Sequence, residues 1–267
     1  MNPYVNIATQ AARDAGRIIL RYSNRLDAIA VESKARNDFV SEVDRAAEQT
    51  IIQRIRRAYP RHAILAEESG HRGGGEFEWI IDPLDGTTNY LHGIPHYAVS
   101  IALRHRGELK MGVIYDPFKE ELFCAARGEG ATLNNRRIRV SRRRSLSGAL
   151  LGTGIPFRPN QNLDLYLETL KALIPDTAGV RRAGSAALDL AYVAAGRFDG
   201  FWEFKLHPWD MAAGVVLIRE AGGLVGDLQG GQNFLKTGDI LAAPPRIFQQ
   251  MVGILRPLLP RPAEGPR

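Results

Sequence analysis

The first sixty residues of the chain carry apolar residues at helical spacing. Residues 3–22 are predicted to form one helix, because apolar side chains recur every three or four positions and a proline stands at its start. A second helix is predicted to begin near Ser41 and to end before Pro60. Short apolar runs at Ala63–Ala66 and 79–81 then predict two buried strands.

The spacing changes to an alternation of apolar and polar residues between 97 and 140. Several such segments are separated by turns, which predicts an antiparallel meander. Beyond about residue 145, strands and helices are predicted to alternate. The strands are 149–151, 201–202 and 224–225, and the helices are 161–173, 185–196, 209–221 and 245–256.

This order of elements predicts an α+β protein in which sheets lie between layers of helices. The length of 267 residues suits a single domain, 1–267. Within it we expect two subdomains. Residues 1–144 hold the helix pair and the meander, and residues 145–267 form the α/β half.

Composition narrows the class of protein without changing this picture. Hydrophobic residues make up 45% and charged residues 24%, which is enough for an ordinary core. No apolar run approaches the roughly 18 residues that span a bilayer, and the charged N-terminal segment does not resemble a secretory signal. Cys124 is the single cysteine, which fits a reducing compartment. We therefore expect a cytoplasmic protein without a membrane partner.

The net charge of +6 equals the charge of one short arginine run, residues 136–144. Its members are Arg136, Arg137, Arg139, Arg142, Arg143 and Arg144. A solvated loop is the ordinary interpretation of such a run. The alternative is a patch that binds RNA, DNA or an acidic protein, although the absence of interleaved aromatic residues argues against base stacking.

The most informative segment follows the strand predicted at 79–81. Asp82 and Asp85 come directly after this apolar run, and Pro83 between them restricts the backbone, so a sharp bend is expected. The bend allows the two carboxylates to converge, and converging carboxylates repel and neutralise themselves unless a cation joins them. Oxygen ligands of this kind suit Mg²⁺ or Mn²⁺. Residues 86–88 then offer backbone N–H groups at a predicted helix start, where a phosphate binds readily.

Two further acids stand at the ends of predicted elements. Glu67 ends a strand, and Asp210 lies in the first turn of an apolar helix. Taken singly, each has an ordinary explanation, because loop acids are solvated and acids in a first helical turn are favoured by the dipole. Their occurrence together with the Asp82–Asp85 pair favours a metal and phosphate site.

These segments together resemble the two signatures of the inositol monophosphatase family, in a bacterial branch of that family. The resemblance extends from the first helix to about residue 256. It rests on 67–69, 79–90, 184–190, 196–200 and 209–214. It implies a layered αβαβα sandwich of the inositol monophosphatase and fructose-1,6-bisphosphatase type. It also implies Mg²⁺-dependent hydrolysis of a small polyol phosphate, with myo-inositol 1-phosphate as the first candidate.

The resemblance also assigns roles to particular residues. The implied metal ligands are Glu67, Asp82, the carbonyl of Leu84, Asp85 and Asp210. Glu67 and Thr87 would orient the attacking water, and the amides of Gly86 and Thr87 would hold the phosphate. The residues that would meet the substrate polyol are Gly184, Ser185, Ala186 and Glu203, together with Asp85 and Asp210. Lys34, Asp38 and Asp44 would lie on a mobile flap near a weaker metal position. Family members commonly form homodimers, and lithium is expected to inhibit.

Alternatives to this function remain open at the level of sequence. A phosphatase that forms an aspartyl phosphate is rejected. It needs two aspartates separated by one residue, and the residue two positions before Asp85 is Pro83. Another small phosphate ester is a second candidate substrate. Lys205 stands where a small residue is expected, and it is either a solvated lysine or a contact to a second phosphate. Packing or capping is the ordinary role of His92, His96 and His207.

A second class of function is binding rather than hydrolysis. The bacterial branch that this chain resembles includes members that join ribosomal RNA transcription complexes. The arginine run could contact RNA or a protein of such a complex.

Overall fold

Helices and short strands alternate through the computed structural model, which describes residues 2–23, 26, 31–35, 38–156 and 161–260. For residues 31–35 and 38–40 it describes the backbone alone. The helices are α1 (Pro3–Ser23), α2 (Glu42–Ala58), α3 (Thr87–Leu91), α4 (Leu163–Leu173), α5 (Ala186–Ala194), α6 (Pro208–Glu220), α7 (Phe234–Thr237) and α8 (Pro245–Leu255). The strands are β1 (Val31–Ala35), β2 (Asp38–Ser41), β3 (Ala63–Ala66), β4 (Gly70–Arg72), β5 (Phe77–Asp85), β6 (Ala98–His105), β7 (Glu108–Asp116), β8 (Glu121–Ala126), β9 (Gly130–Leu133), β10 (Arg136–Arg137), β11 (Leu150–Thr153), β12 (Gly179–Arg181), β13 (Gly200–Glu203), β14 (Leu224–Gly226) and β15 (Ile240–Ala243).

Two large sheets organise these elements. The first has eight strands in the order β10-β9-β8-β7-β6-β5-β3-β4, and β5 to β10 form a continuous antiparallel meander. Strand β3 runs parallel to β5. The second sheet is mixed, with five strands in the order β12-β11-β13-β15-β14. A separate pair, β1 and β2, is antiparallel.

Three clusters of buried side chains join the sheets to the helices. Helices α1 and α2 pack on the outer face of the eight-stranded sheet. Helices α5 and α6 lie between the two sheets. Helices α4 and α8 cover the outer face of the five-stranded sheet. The result is a layered α+β fold of the αβαβα kind.

Strand β5 is apolar on both faces because helices cover both. Trp79 and Ile81 point to α1 and α2, whereas Ile80 points to the helices of the middle layer. A strand buried on both faces reads as a continuous apolar run rather than an alternating one. This explains the apolar triplet that precedes Asp82.

The middle layer needs small residues where helices approach the sheet. A Cβ on Gly112 of β7 would lie 2.7 Å from the Cα of Ala213 in α6, and one on Gly214 would meet Leu190 of α5. These glycines therefore allow α6 to lie directly against the sheet and against α5. The close packing fixes the position of α6, which carries Asp210 in its first turn.

Comparison with the sequence predictions confirms the long elements and corrects several short ones. The six long helices and the meander are where the pattern predicts them. The strand predicted at 79–81 is longer, because β5 continues through Pro83 to Asp85 instead of ending in a bend. Strand β4, of three residues, was not predicted. Strands β12 and β15 were not predicted, since each has only three or four residues. Among the described residues, no helix has the length and apolar character needed to cross a membrane.

The contact between β7 and α6 yields a stability prediction. Gly112→Ala should lower the free energy of unfolding by about 1–3 kcal/mol, because its methyl group would overlap the backbone of Ala213. Gly253→Ala is the matched control, because Gly253 lies in α8 with open space around its Cα. It should be neutral or stabilising by up to about 1 kcal/mol. Urea denaturation measures both values, and equal effects would contradict the packing described.

Candidate active site

A β-bulge at the end of β5 brings Asp82 and Asp85 to the same face of the sheet. Asp82 is opposite Ser100 of β6, and Asp85 is opposite Ala98, so β5 contains one extra residue between the two pairs. Residues an odd number apart normally point to opposite faces of a strand, and one extra residue reverses this. Pro83 cannot donate a ladder hydrogen bond, and the Leu84 amide donates to Asp82 Oδ1 at 3.0 Å.

The packing of neighbouring side chains shows the same change of face after Asp82. Ile80 faces the middle helices, and strict alternation would put Leu84 on that face too. Leu84 instead packs with α1 and α2 on the outer side. Asp85 correspondingly reaches the middle layer, where its Oδ2 accepts hydrogen bonds from Ser185 Oγ at 2.6 Å and from the Ala187 amide at 2.7 Å.

Asp210 approaches the same point from α6. Its Oδ2 accepts a hydrogen bond from the His207 amide at 2.6 Å, which caps the first turn of the helix. One carboxylate oxygen from each of Asp82, Asp85 and Asp210 lies within 4.8 Å of the others. The structure thus brings together three acids that are separated by up to 128 positions in the sequence.

The electrostatics of this cluster favour a bound cation. Burial raises the pKa of Asp82 well above its usual range, and the neighbouring carboxylates raise it further. Burial also raises the pKa of Asp85 to about 6, although hydrogen bonds from Ser185 and the amides of α5 oppose the rise. Burial together with the charges of Asp85 and Glu67 raises the pKa of Asp210. Carboxylates that repel one another in this way are a hard-oxygen donor set, which fits Mg²⁺ or a similar divalent ion.

Glu67 lies beside this cluster at the end of β3. Strand β3 pairs with β5 so that Ala66 is opposite Ile81, and the Glu67 amide donates to the carbonyl of Ile81 at 3.1 Å. Glu67 lines the same cavity of about 280 Å³, and its charge raises the pKa of Asp82 and Asp210. It is not one of the three acids whose oxygens lie within 4.8 Å of one another.

Gly86 and Thr87 begin helix α3 at the wall of this cavity. Gly86 has φ = 97°, and a Cβ there would lie 3.0 Å from the carbonyl oxygen of His96, so glycine is required at this turn. The Thr87 hydroxyl lies 2.9 Å from the carbonyl oxygen of Leu84 and 2.9 Å from Asp44 Oδ1. The cavity lining includes both Gly86 and Thr87.

Asp44 is therefore placed differently from the flap that the sequence suggested. It lies in the first turn of α2, is fully buried, and forms a capping box with Ser41. Burial raises its pKa, although hydrogen bonds from Ser41 and Thr87 oppose the rise. Its contact with Thr87 was not predicted, because the two residues are 43 positions apart. The side chains of Lys34 and Asp38 lie outside the described part of the structure.

The opposite wall of the cavity contains the residues expected to meet the substrate. Gly184, Ser185, Ala186 and Glu203 all line it. Ser185 caps α5 by accepting a hydrogen bond from the Leu188 amide, and it also donates to Asp85. This wall and the wall that carries the three acids are thus held together by hydrogen bonds.

Two residues in this wall were missed by sequence reasoning. A Cβ on Gly154 would overlap the carboxylate of Glu203, so only glycine leaves room for that side chain. Asp189 of α5 lines the cavity and is 1% exposed. Its Oδ1 has no hydrogen-bond partner among the described residues. Its presence in the motif at 184–190 was the available signal, because a buried acid in an apolar helix is unusual.

The remaining candidates lie at the edge of the site or away from it. Lys205 and His207 line the cavity mouth, and the His207 ring stacks on Trp209 at 4.7 Å. His92 Nδ1 lies 2.8 Å from the carbonyl oxygen of Thr88, and burial lowers the pKa of His96 to about 4. The six arginines of the run 136–144 are exposed and do not line the cavity.

Comparison with known proteins identifies the family of this chain. The sequence profile of the inositol monophosphatase family matches residues 1–257. The chain belongs to the inositol monophosphatase family. Members of this family are metal-dependent phosphatases, and the cluster of three carboxylates agrees with that chemistry.

Individual relatives are named either SuhB or inositol monophosphatase. The chain is 56% identical over 266 residues to the Nus factor SuhB of Pseudomonas aeruginosa, covering 97% of this chain and 98% of that protein. A crystal structure of the extragenic suppressor protein SuhB of Bartonella henselae is 46% identical with a TM-score of 0.91, covering 94% of this chain and 97% of that one. The inositol monophosphatase of Anabaena is 43% identical with a TM-score of 0.84, covering 97% of each chain.

The raised pKa of Asp85 predicts an unusual dependence of stability on pH in the absence of a divalent ion. A carboxyl with a pKa of about 6 in the folded state and 3.8 as a free side chain binds more protons when folded. Stability should therefore increase as pH falls through the window from about 6 to 3.8. In EDTA, the free energy of unfolding should be greater at pH 5 than at pH 7 by on the order of 1 kcal/mol from this group.

The matched variant for this measurement is Asp85→Asn, which removes the titrating group. It should be more stable than the wild type at pH 7 in EDTA, and its own stability should change less between pH 7 and pH 5. Mg²⁺ should stabilise the wild type and should have a smaller effect on the variant. If the free energy of unfolding changed equally in the wild type and the variant between pH 7 and pH 5, the raised pKa of Asp85 would be contradicted.

Proposed function

We propose that this protein hydrolyses a small polyol phosphate monoester with Mg²⁺, and that myo-inositol 1-phosphate is the first substrate to test. The observation that carries the proposal is the convergence of Asp82, Asp85 and Asp210 beside the paired Asp44 and Thr87. On this proposal, a cation site and a hydroxyl that can orient water share one cavity. The descriptions of relatives as inositol monophosphatases support the choice of substrate.

Five residues are the proposed ligands of the cation. They are Glu67, Asp82, the carbonyl of Leu84, Asp85 and Asp210. When bound, a divalent ion would neutralise the carboxylates, attract the phosphate dianion and stabilise charge that develops during in-line displacement. The chain's own contribution is to keep the acids fixed. The amides of Ala187 and His207 donate hydrogen bonds to Asp85 and Asp210 and fix their orientation.

Thr87 and Asp44 are proposed to prepare the attacking water. Thr87 Oγ1 has one proton and two neighbouring acceptors at 2.9 Å, Asp44 and the Leu84 carbonyl. Its lone pairs remain able to accept a hydrogen bond from water on the cavity side. Asp44 is buried with a raised pKa, so it can take up a proton through the threonine hydroxyl more readily than an exposed aspartate. Glu67 would hold the water from the other side.

The remaining lining residues are proposed to bind the two ends of the substrate. The amides of Gly86 and Thr87 would donate to the phosphate oxygens. The polyol would lie against Gly184, Ser185 and Ala186. Glu203 would accept hydrogen bonds from polyol hydroxyls, because Gly154 leaves its carboxylate space against the wall. Asp85 and Asp210 lie between the two ends of the cavity.

The direct test measures phosphate release from myo-inositol 1-phosphate. Turnover should require Mg²⁺, fall with lithium, and drop at least about 100-fold in Asp85→Asn, because that variant removes a charged ligand. A folded wild-type protein that releases no phosphate from this substrate or from other small monophosphates would refute the proposal. A protein active on another monophosphate alone would retain the phosphatase function and change the substrate.

A matched pair of variants tests the role of Thr87 separately. Thr87→Val removes the hydroxyl with little change in shape and should reduce kcat by about 100-fold. Thr87→Ser keeps the hydroxyl and should retain most of kcat. Mg²⁺ affinity, measured by calorimetry, should be similar in both. Equal loss in the two variants would mean that the hydroxyl does not act on the water.

A second candidate function is participation in a transcription complex, which the description of relatives as Nus factors favours. The supporting observation on this chain is the exposed arginine run. Part of the run has structural partners, since Arg143 pairs with Asp199 at 3.1 Å and Arg137 donates to the carbonyl of Glu129. Arg136, Arg142 and Arg144 are the members best placed to contact RNA phosphates.

We expect the protein to act in the cytoplasm. We also expect it to form a homodimer, which sedimentation can test.

The matching experiment neutralises these three arginines together. The triple variant Arg136→Gln, Arg142→Gln and Arg144→Gln should bind a ribosomal RNA segment more weakly. Its affinity should also depend less on salt. The slope of log affinity against log salt concentration should become shallower by about one unit for each lost phosphate contact. Phosphatase turnover should be unchanged, because the run does not line the cavity.

The control neutralises three other exposed arginines, Arg56, Arg57 and Arg61, in the same way. Its RNA affinity should stay closer to that of the wild type than the affinity of the first variant does. Equal RNA affinity of the wild type and the first variant at low salt would refute this role for the run.

A further inference from the structure

Asp189 is a buried acid in the wall of the active-site cavity, and one of its oxygens lacks a partner among the described residues. The residue is 1% exposed, and its Oδ1 accepts no hydrogen bond from the described part of the chain. It lies in α5, four residues after Ser185, and residues four apart lie on one face of a helix. Ser185 donates to Asp85 at the start of this face. Asp189 therefore continues the same wall one turn further along α5.

A second buried acid, Asp199, shows how this protein pairs a carboxylate that has only a structural role. Its Oδ1 accepts a hydrogen bond from Ser141 Oγ at 2.6 Å. Its Oδ2 accepts from the Leu150 amide at 2.9 Å and from Arg143 Nε at 3.1 Å. Asp199 does not line the cavity. A buried polar atom without a partner costs free energy, so the unpaired oxygen of Asp189 at a cavity wall points to a ligand that pairs with it.

The neighbours of Asp189 indicate the chemistry of that ligand. Four acids of the cavity lining are the proposed metal ligands, and two acids remain, Asp189 and Glu203. Neither belongs to the cluster of three converging carboxylates. Burial raises the pKa of Asp189 well above its usual range, and the charge of Glu203 raises it further. Arg182 opposes this rise but does not donate to Oδ1. Two acids thus lie near each other at the end of the cavity proposed to hold the polyol.

We propose that Asp189 is a specificity-determining residue, which forms a hydrogen bond with a ring hydroxyl of the polyol other than the one that binds Glu203. The inference rests on the phosphatase function proposed above and adds a requirement for two hydroxyls at the polyol end. A hydroxyl donates to a carboxylate and accepts from a carboxylic acid, so it suits Asp189 in either protonation state. A substrate without that hydroxyl leaves the buried oxygen unpaired, and sites of this kind discriminate strongly against such analogues.

Two phosphates with the same six-membered ring test the proposal. Myo-inositol 1-phosphate carries ring hydroxyls, and cyclohexyl phosphate has none. The measured quantity is the ratio of their kcat/KM values with Mg²⁺. The ratio of their affinities is measured by calorimetry in a Thr87→Val background. Asp189→Leu removes both oxygens with little change in shape, and it should lower both ratios about tenfold.

Two control variants separate recognition from a structural role. Asp189→Asn keeps a hydrogen-bonding side chain and should leave both ratios within about threefold of the wild type. Asp199→Asn changes the matched buried acid outside the cavity, so it should leave the ratios unchanged and lower the midpoint of thermal unfolding. Asp189→Leu should not lower that midpoint in EDTA, because it removes an unpaired oxygen rather than a partner of another group.

Analogues of myo-inositol 1-phosphate that each lack one hydroxyl locate the contact. At one ring position, loss of the hydroxyl should lower kcat/KM about tenfold in the wild type and less than about threefold in Asp189→Leu. Such non-additivity is expected for groups in direct contact. Glu203→Met should show the same behaviour at a different ring position.

The outcomes separate this inference from the function on which it rests. Ratios in Asp189→Leu within twofold of the wild type would overturn it, even if both phosphates are hydrolysed. Coupling of Asp189 to no ring hydroxyl, or to the same hydroxyl as Glu203, would also overturn it. A tenfold fall in the affinity ratio without turnover of either phosphate would support the contact and contradict the phosphatase proposal.

Discussion

The extra residue in β5 between Asp82 and Asp85 is the constraint on which the rest of the site depends. A regular strand would direct one of these carboxylates to α1 and α2 and the other to the middle layer. The bulge directs both inward, and Pro83 disfavours a regular ladder at this point. The Leu84 side chain takes the outward position and its carbonyl turns toward Thr87. The proposed metal ligands and the hydroxyl proposed to orient water thus depend on one irregularity.

The middle helical layer completes the site because two of its helices begin there. Asp85 accepts a hydrogen bond from the amide of Ala187 near the start of α5, and Asp210 caps the first turn of α6. Helix N-termini stabilise carboxylates, which offsets part of the cost of crowding three acids in a buried place. Small residues keep the layer close to the sheet, as Gly112 does against Ala213. Packing and electrostatics therefore support the same arrangement.

Much of this arrangement could be predicted from local patterns, and the rest depended on distant partners. The helices carry a regular apolar spacing, and the Asp82–Asp85 segment combines a strand, a proline and a glycine turn within nine residues. Asp44 was misplaced because its partner Thr87 is brought near only when α2 packs on the sheet. Gly154 has no local signal either, since its need for glycine arises from Glu203 on a neighbouring strand. The left-handed backbone of Lys205, with φ = 60°, depends on a turn geometry that the residue type does not reveal.

On this proposal, the bulge creates a cation site at the junction of the two sheets. Crystals grown with Mn²⁺ and measured at the manganese absorption edge would locate the ion. We expect an anomalous peak at roughly 2.0–2.3 Å from oxygens of Asp82, Asp85 and Asp210. A peak at another place, or no peak in crystals that diffract well and contain Mn²⁺, would contradict it.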